Sequence, residues 1–198
     1  METENTLLEA ARMMNKEALI KIFDLYSASL YNYARRLCGD PVMADHIVGD
    51  VFAKLLEQLS IGKGPRSNLR AYLFQSTYHQ IIDEAHNSQR GAPLEVAESL
   101  RPETQAAFTG FDDPILVDQI LHALHHELSD DQRHVIFLRF FEDFTLNETA
   151  AILGKHISHV KVIQSRALAT LRRVLQQHEI KKVIPSSRLK NFSKALGA

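Results

Sequence analysis

The sequence predicts an all-α protein: two small helical domains joined by a flexible acidic linker, the C-terminal one a helix-turn-helix. Three observations carry this. Apolar residues recur at three- and four-residue spacing over long stretches, and no strand-like alternation appears. Only eight glycines and six prolines in 198 residues interrupt them. Between Gly91 and Asp113 the periodicity fades into Pro93, Pro102, small residues, five acids and one arginine, the composition of an exposed linker.

The first strong helical pattern runs from about Lys16 to Leu37, with Leu19, Ile22, Phe23, Tyr26, Leu30, Tyr33, Ala34 and Leu37 on its apolar face. Gly39-Asp40-Pro41 stops that helix and starts the next, Asp40 as N-cap and Pro41 at the first helical position. The second helix carries Val42, Ile47, Val48, Val51, Phe52, Leu55, Leu56 and Leu59. A flexible, basic, Gly-rich loop follows at Gly62–Asn68. The third helix, about Leu69 to Asn87, is expected to bury Leu69, Tyr72, Leu73, Ile81 and Ile82.

After the linker, Asp113-Pro114 restarts helix, with one helix expected over about Ile115–Glu127. Ser129 with Gln132 is a capping box opening a helix to about Phe141, and Thr145 with Glu148 is a second, opening a short apolar helix. Gly154 makes a turn, and a longer helix runs from near Ser158 to about Gln177. The expected boundaries are residues 1–90 and 114–178 for the two domains, 91–113 for the linker and 179–198 for a basic C-terminal extension.

Composition bounds the class. The 45% apolar and 24% charged residues are those of a globular protein. No stretch approaches the roughly 18 uninterrupted apolar residues of a membrane span, so no membrane insertion is expected. The acidic N-terminus lacks the basic start and apolar core of a secretory signal. The single cysteine, Cys38, rules out an internal disulfide and a cysteine-rich zinc site, and reads as a small buried residue in a cytoplasmic protein.

The net charge of −1 hides an asymmetry. Residues 155–198 hold ten Lys/Arg against Glu179 alone, whereas residues 1–113 hold 11 against 16 acids. A concentrated basic block is the footprint of a partner that is an anionic polymer, or else a solvated tail.

Thr145–Arg173 has the order of a helix-turn-helix: short helix, tight turn at Gly154, then a helix crowded with cations. Ala150 and Ala151 are small enough for close helix packing, and Ile157 and Val160 would pin the second helix inward. Lys161, Ser165, Arg172 and the nearby His159, Gln164 and Arg166 are left for the outside. Cations contact phosphates, while Gln, Ser and Arg also read base edges.

Here a family resemblance becomes specific. Leu128-Ser-Asp-Asp-Gln132-Arg133, Val135 to Phe140, Thr145 to Gly154, Val160-Lys161 and Arg166-Ala167-Leu168 through Leu171-Arg172 resemble the C-terminal promoter-binding domain of bacterial sigma factors. The resemblance implies that Lys161, Val162, Ser165 and Arg166 face the minus-thirty-five element. Ser158-His159 and Val162-Ile163 depart from the family's usual residues there. Helix-turn-helix regulators share this part, so the N-terminal half makes the separation. Leu30 to Pro41, Ala44-Asp45, Asp50-Val-Phe52, Leu69 to Phe74 and Ile82-Asp83 are similar to sigma domain two, which binds the polymerase clamp and melts the minus-ten element.

The whole is similar to small sigma factors of the extracytoplasmic-function type. That resemblance implies core RNA polymerase and promoter DNA as partners, with an anti-sigma factor as a further one, and no cofactor. It places Asp45, Asp50 and Phe52 against polymerase, and Lys63, Arg66, Tyr72, His79 and Arg90 against the melted strand. Cations track a single-stranded backbone and aromatic faces hold its bases, although Tyr72 also falls on an apolar stripe. Gly49-Asp50, Tyr72, His79 and a thin basic cluster at Arg90 are departures that imply altered contacts. A sigma-like protein that binds polymerase but melts DNA poorly, and a regulator that replaces no sigma subunit, are the competing readings.

No enzyme signature appears. His122 and His126 have the spacing of helix-borne zinc ligands but lack a third ligand, and Gly62-Lys63-Gly64 lacks the phosphate-loop pattern. The Lys/Arg-rich segment from Lys181 to Ala198, with Phe192 and Leu196, is either a basic arm or an added amphipathic helix.

Overall fold

The computed structural model describes residues 3–88 and 124–177, all of them helical or in connecting loops. The linker, the helix expected over most of Ile115–Glu127, Arg90, His122 and the basic extension lie outside the described residues. The chain forms two compact units.

Four helices build the first unit: α1 (Glu4–Arg12), α2 (Lys16–Cys38), α3 (Pro41–Ser60) and α4 (Leu69–Ser88). The caps fall where the sequence puts them. Gly39 takes the left-handed conformation, φ 75°, and returns its amide to the Arg35 carbonyl. Asp40 Oδ1 accepts from the amides of Val42 and Met43 to open α3. Leu30, Tyr33 and Ala34 of α2, Ala44, Ile47, Val51 and Leu55 of α3, and Leu69, Leu73 and Phe74 of α4 are essentially solvent-free. Tyr33 and Phe74 pack at 5.4 Å between ring centroids in the middle of this core.

Helix α1 departs from the sequence reading, which assigned no element before Lys16. Leu7, Leu8 and Ala11 are buried, and α1 packs on α2, α3 and α4. Glu4 Oε2 accepts from the Tyr26 hydroxyl at 2.9 Å and its Oε1 from the Leu69 amide at 2.8 Å, the free donor at the start of α4. Burial first, and then the bond to Glu4, raises the Tyr26 phenol far above its ordinary range.

The loop from Gly62 to Asn68 corrects the expectation of flexibility. The amides of Lys63 and Gly64 both donate to the Gln58 carbonyl, and Arg12 Nη1 donates to the carbonyls of Gly64 and Pro65. A Cβ on Gly64 would lie 2.5 Å from Leu59 Cδ2, inside a buried side chain. Gly64→Ala is therefore expected to destabilise the chain by about 1–3 kcal/mol, seen as a lower Tm in a thermal melt. A melt superimposable on wild type would mean that Leu59 moves aside freely.

Cys38 is only half-buried, yet burial, with help from Asp40 and Glu84, pushes its thiol up to about 11. It stays protonated at neutral pH, which suits a packing role.

The C-terminal half contains helical residues 124–126, α5 (Asp130–Ile136), a π-helical turn over Phe137–Phe141, α6 (Leu146–Ile152) and α7 (Ile157–Gln177), and the second unit is built chiefly from α5, that turn and α7. Ser129 and Gln132 form their capping box, and Thr145 exchanges bonds with Glu148 in the second. The single helix read to Phe141 instead widens after Ile136. The Glu142 amide reaches back five residues to Phe137, which lets Phe137 and Leu138 both face the core. Phe144, Val160, Ala167, Leu168 and Leu171 complete that core, and Ile152 and Leu153 are buried as well. Gly154, at φ 61°, makes the turn between α6 and α7. Of the two alanines expected to pack closely, Ala150 is buried and Ala151 exposed.

Candidate nucleic-acid interface

Helix α7 sorts its residues by face. Val160, Ile163, Ala167, Leu168 and Leu171 point into the unit, while His159, Lys161, Val162, Ser165, Arg166 and Arg172 are exposed. The spacing Ser158, Val162, Ser165, Ala169 and Arg172 forms one stripe along the helix. Its start is held by His156: the ring Nδ1 accepts from the Ser158 amide and lies 2.7 Å from the Ser158 hydroxyl. Sequence reasoning missed this cap, because histidine is not among the usual capping residues.

Gln164, expected to read bases, also makes a bond within the unit. It is half-buried, and its Oε1 accepts from Arg139 Nε at 3.1 Å, while Arg139 Nη1 donates to the Phe144 carbonyl. That chain of bonds ties α7 to the π-helical turn and the loop after it. Lys155 pairs with Asp131 at 3.0 Å, bracing the turn against α5. Arg173, exposed at the far end of α7, lies 3.5 Å from Glu127.

In the first unit, Lys63 and Arg66 are exposed on the anchored loop. On α4, Leu69, Leu73, Phe74, Thr77 and Ile81 face the core, which leaves Tyr72 on the opposite side with His79. Tyr72 is half-buried and His79 exposed, and Ser76 lies between them on the same stripe. The helical spacing of Tyr72, Ser76 and His79 is the sequence signal for this stripe, and Ser76 is its unmarked member. Arg70 sits over the Phe74 ring at 5.4 Å, on the core side of α4.

Asp45 and Asp50 are exposed on α3 and line one open groove with Met43, His46, Gly49, Gln80 and Glu84. Phe52 is placed differently from the other two. It is buried, its ring 4.8 Å from that of Phe23, which is 49% exposed. The accessible aromatic surface at that point belongs to Phe23, with Leu56 and Ile20 also exposed. Among the described residues, no three His, Cys, Asp or Glu side chains are grouped to hold a metal ion, and no helix is long and apolar enough to cross a membrane.

Comparison with known proteins agrees with this layout. Residues 22–91 match the family described as sigma-70 region 2, and residues 126–173 match sigma-70 region 4. The chain is 23% identical over 175 residues to the ECF RNA polymerase sigma factor BldN of Streptomyces coelicolor, covering 85% of this chain and 64% of BldN. It is 25% identical to the ECF sigma factor SigX of Bacillus subtilis, covering 81% of this chain and 85% of SigX. It is 26% identical to SigL of Mycobacterium tuberculosis, covering 79% and 88%. Among solved structures it resembles the sigma factor RpoE of Bartonella quintana, crystallised with the anti-sigma factor NepR. That match has a TM-score of 0.65 and 24% identity, covering 79% of this chain and 95% of the other. CnrH, in complex with the cytosolic domain of CnrY, aligns with a TM-score of 0.65 and 21% identity, over 88% and 97% of the two chains.

Proposed function

The chain belongs to the sigma-70 family, in its extracytoplasmic-function group, and from that premise we propose that it binds core RNA polymerase and directs it to promoters. The observation that carries the reading is the division of labour on α7. One face is buried in the unit, and the other offers His159, Lys161, Val162, Ser165, Arg166 and Arg172 to duplex DNA at the minus-thirty-five element. Cations there hold phosphates, and Arg166 and Ser165 reach base edges in the major groove.

The first unit, within residues 1–90, docks on the polymerase clamp through the α3 face carrying Asp45 and Asp50, with Phe52 acting from behind Phe23. Lys63, Arg66 and Arg90 track the melted minus-ten strand, and Tyr72 and His79 meet its bases. The second unit, within residues 114–178, reads the duplex upstream. Two weak sites on one chain gain through effective concentration. The acidic linker at 91–113 is repelled by duplex DNA and suits a basic channel in polymerase. An anti-sigma factor is the expected inhibitory partner, the location is cytoplasmic, and the chain has no catalytic role of its own.

Run-off transcription with purified core polymerase on a pool of promoter fragments from the source genome tests this. Specific transcripts that require the chain are expected. Binding to core without transcripts would favour a sigma-like protein deficient in melting. Neither binding nor transcripts would point to a stand-alone regulator.

A further inference from the structure

We propose that Arg12 and Glu4 of α1 are positioning residues for capture of the melted strand, acting by setting the conformation of the loop that presents Lys63 and Arg66. The inference rests on the reading just given for that loop.

The geometry is a clasp with two jaws. At the loop's entry, Arg12 Nη1 donates to the carbonyls of Gly64 at 3.0 Å and Pro65 at 3.1 Å, and Nη2 lies 3.5 Å from the Gly62 carbonyl. One guanidinium thus gathers three carbonyls of a four-residue stretch, a task that its fixed fork of donors suits and a lysine does not. At the exit, Glu4 Oε1 takes the Leu69 amide, the first of α4, where a carboxylate is also favoured by the helix dipole. The other oxygen, Oε2, is held by Tyr26, so the carboxylate is itself oriented.

Between the jaws the backbone has little slack. The amides of Lys63 and Gly64 share the Gln58 carbonyl, Gly64 abuts Leu59, and Asn68 takes a left-handed φ of 52°. The side chains of Lys63, Arg66, Ser67 and Asn68 all remain exposed. A loop whose backbone is fixed and whose cations are free is preorganised for a polyanion, because the ordering cost falls on folding and not on binding. Arg12 itself is half-buried against the loop, so its action on DNA runs through the loop.

The test uses holoenzyme, reconstituted from core polymerase and the full chain. Its probe is a forked fragment with a single-stranded minus-ten segment, cut from the strongest promoter found by run-off. Arg12→Ala is expected to weaken binding to that probe roughly tenfold, the scale of losing charge-assisted hydrogen bonds. Affinity for core should be unchanged, and Arg12→Lys should restore only part of the loss. In a Lys63→Ala, Arg66→Ala background, Arg12→Ala should cost nothing further, since the cations it positions are gone.

Full additivity in that background would overturn the proposal by making Arg12 a direct DNA contact. Wild-type probe binding by folded Arg12→Ala, with Lys63→Ala and Arg66→Ala defective, would overturn it too while leaving the function reading intact. No effect from the Lys63 and Arg66 changes would instead sink the reading of the loop. If Arg12→Ala fails to fold, Glu4→Gln and Arg12→Lys carry the same cycle. Hydrogen exchange at the Lys63 and Gly64 amides should then quicken while α2 stays protected, and unchanged exchange there would overturn the proposal.

Discussion

Lys161→Ala combined with Arg166→Ala is expected to abolish transcripts from promoters that depend on an upstream element, while leaving the protein folded and bound to core. Both side chains are exposed on α7, and neither makes an ion pair or side-chain hydrogen bond among the described residues. Alanine is a good helix former, so their loss should change stability by no more than about 0.5 kcal/mol. Binding is another matter. An arginine on a base edge is worth about 1–3 kcal/mol, and its loss relaxes specificity at one position. A lysine on a phosphate contributes about equally to every sequence, and its removal should lower the salt slope of log K by about one.

The two single variants therefore separate the roles. Arg166→Ala should flatten preference at a single base pair, and Lys161→Ala should weaken all duplexes alike. Gln164→Ala is the contrasting control. Its oxygen braces Arg139, so the expected loss is roughly 1 kcal/mol of stability with base preference unchanged. Electrophoretic mobility shifts on randomised upstream duplexes, run at several salt concentrations, read all three. Transcription and salt dependence equal to wild type in the double variant would exclude this face of α7 as the upstream reader.

How far the sequence exposes this architecture depends on how local the cause is. Gly39, Asp40 with Pro41, Ser129 with Gln132, Thr145 with Glu148, and Gly154 all act within a few residues of themselves, and each stands at the helix end it marks. The outward stripe of α7 is equally local, since periodicity alone sorts buried Val160 and Ile163 from exposed Lys161 and Ser165.

What stayed hidden is nonlocal. Helix α1 is only nine residues long and is secured by Glu4 and Arg12 reaching elements more than fifty positions away along the chain. The loop reads as flexible because its glycines are visible in the sequence and its tie to Arg12 is not. Phe52 resembles a docking residue in its motif, but which of two facing aromatics is exposed depends on how α2 and α3 pack. Gln164 reads in the sequence as a base reader alone, and its bond to Arg139 of the π-helical turn is a nonlocal contact that the pattern does not show. In each case the sequence supplied the right side chain and the tertiary contact decided its employment.

The second unit should also be acid-labile, for reasons centred on His134. Its ring is 2% exposed, and burial lowers it from 6.5 to about 4. Asp130 and Asp131 pull in the opposite direction, and Arg133 and Lys155 add to the lowering. His125 is lowered to about 4 as well, by burial and then by Arg133 and His126, and its Nε2 is buried without a hydrogen-bond partner among the described residues. Above pH 6.5 both residues are neutral in folded and unfolded chain alike, so they contribute no slope. Between 6.5 and 4 the unfolded chain takes up protons that the folded unit refuses, and stability falls with pH. Below 4 both states are protonated and the loss is complete. For His134 alone the full window amounts to about 3 kcal/mol, a large fraction of what a small domain possesses. Urea melts of the full chain at pH 7 and pH 4.5, followed by NMR signals of α7, cover most of that window and should show the second unit weakened by at least about 2 kcal/mol. In His134→Leu the difference between the two pH values should shrink, whatever the substitution does to stability at pH 7. Equal acid sensitivity in wild type and His134→Leu would show that the ring is protonated in the folded unit at little cost, and that other groups set its acid limit.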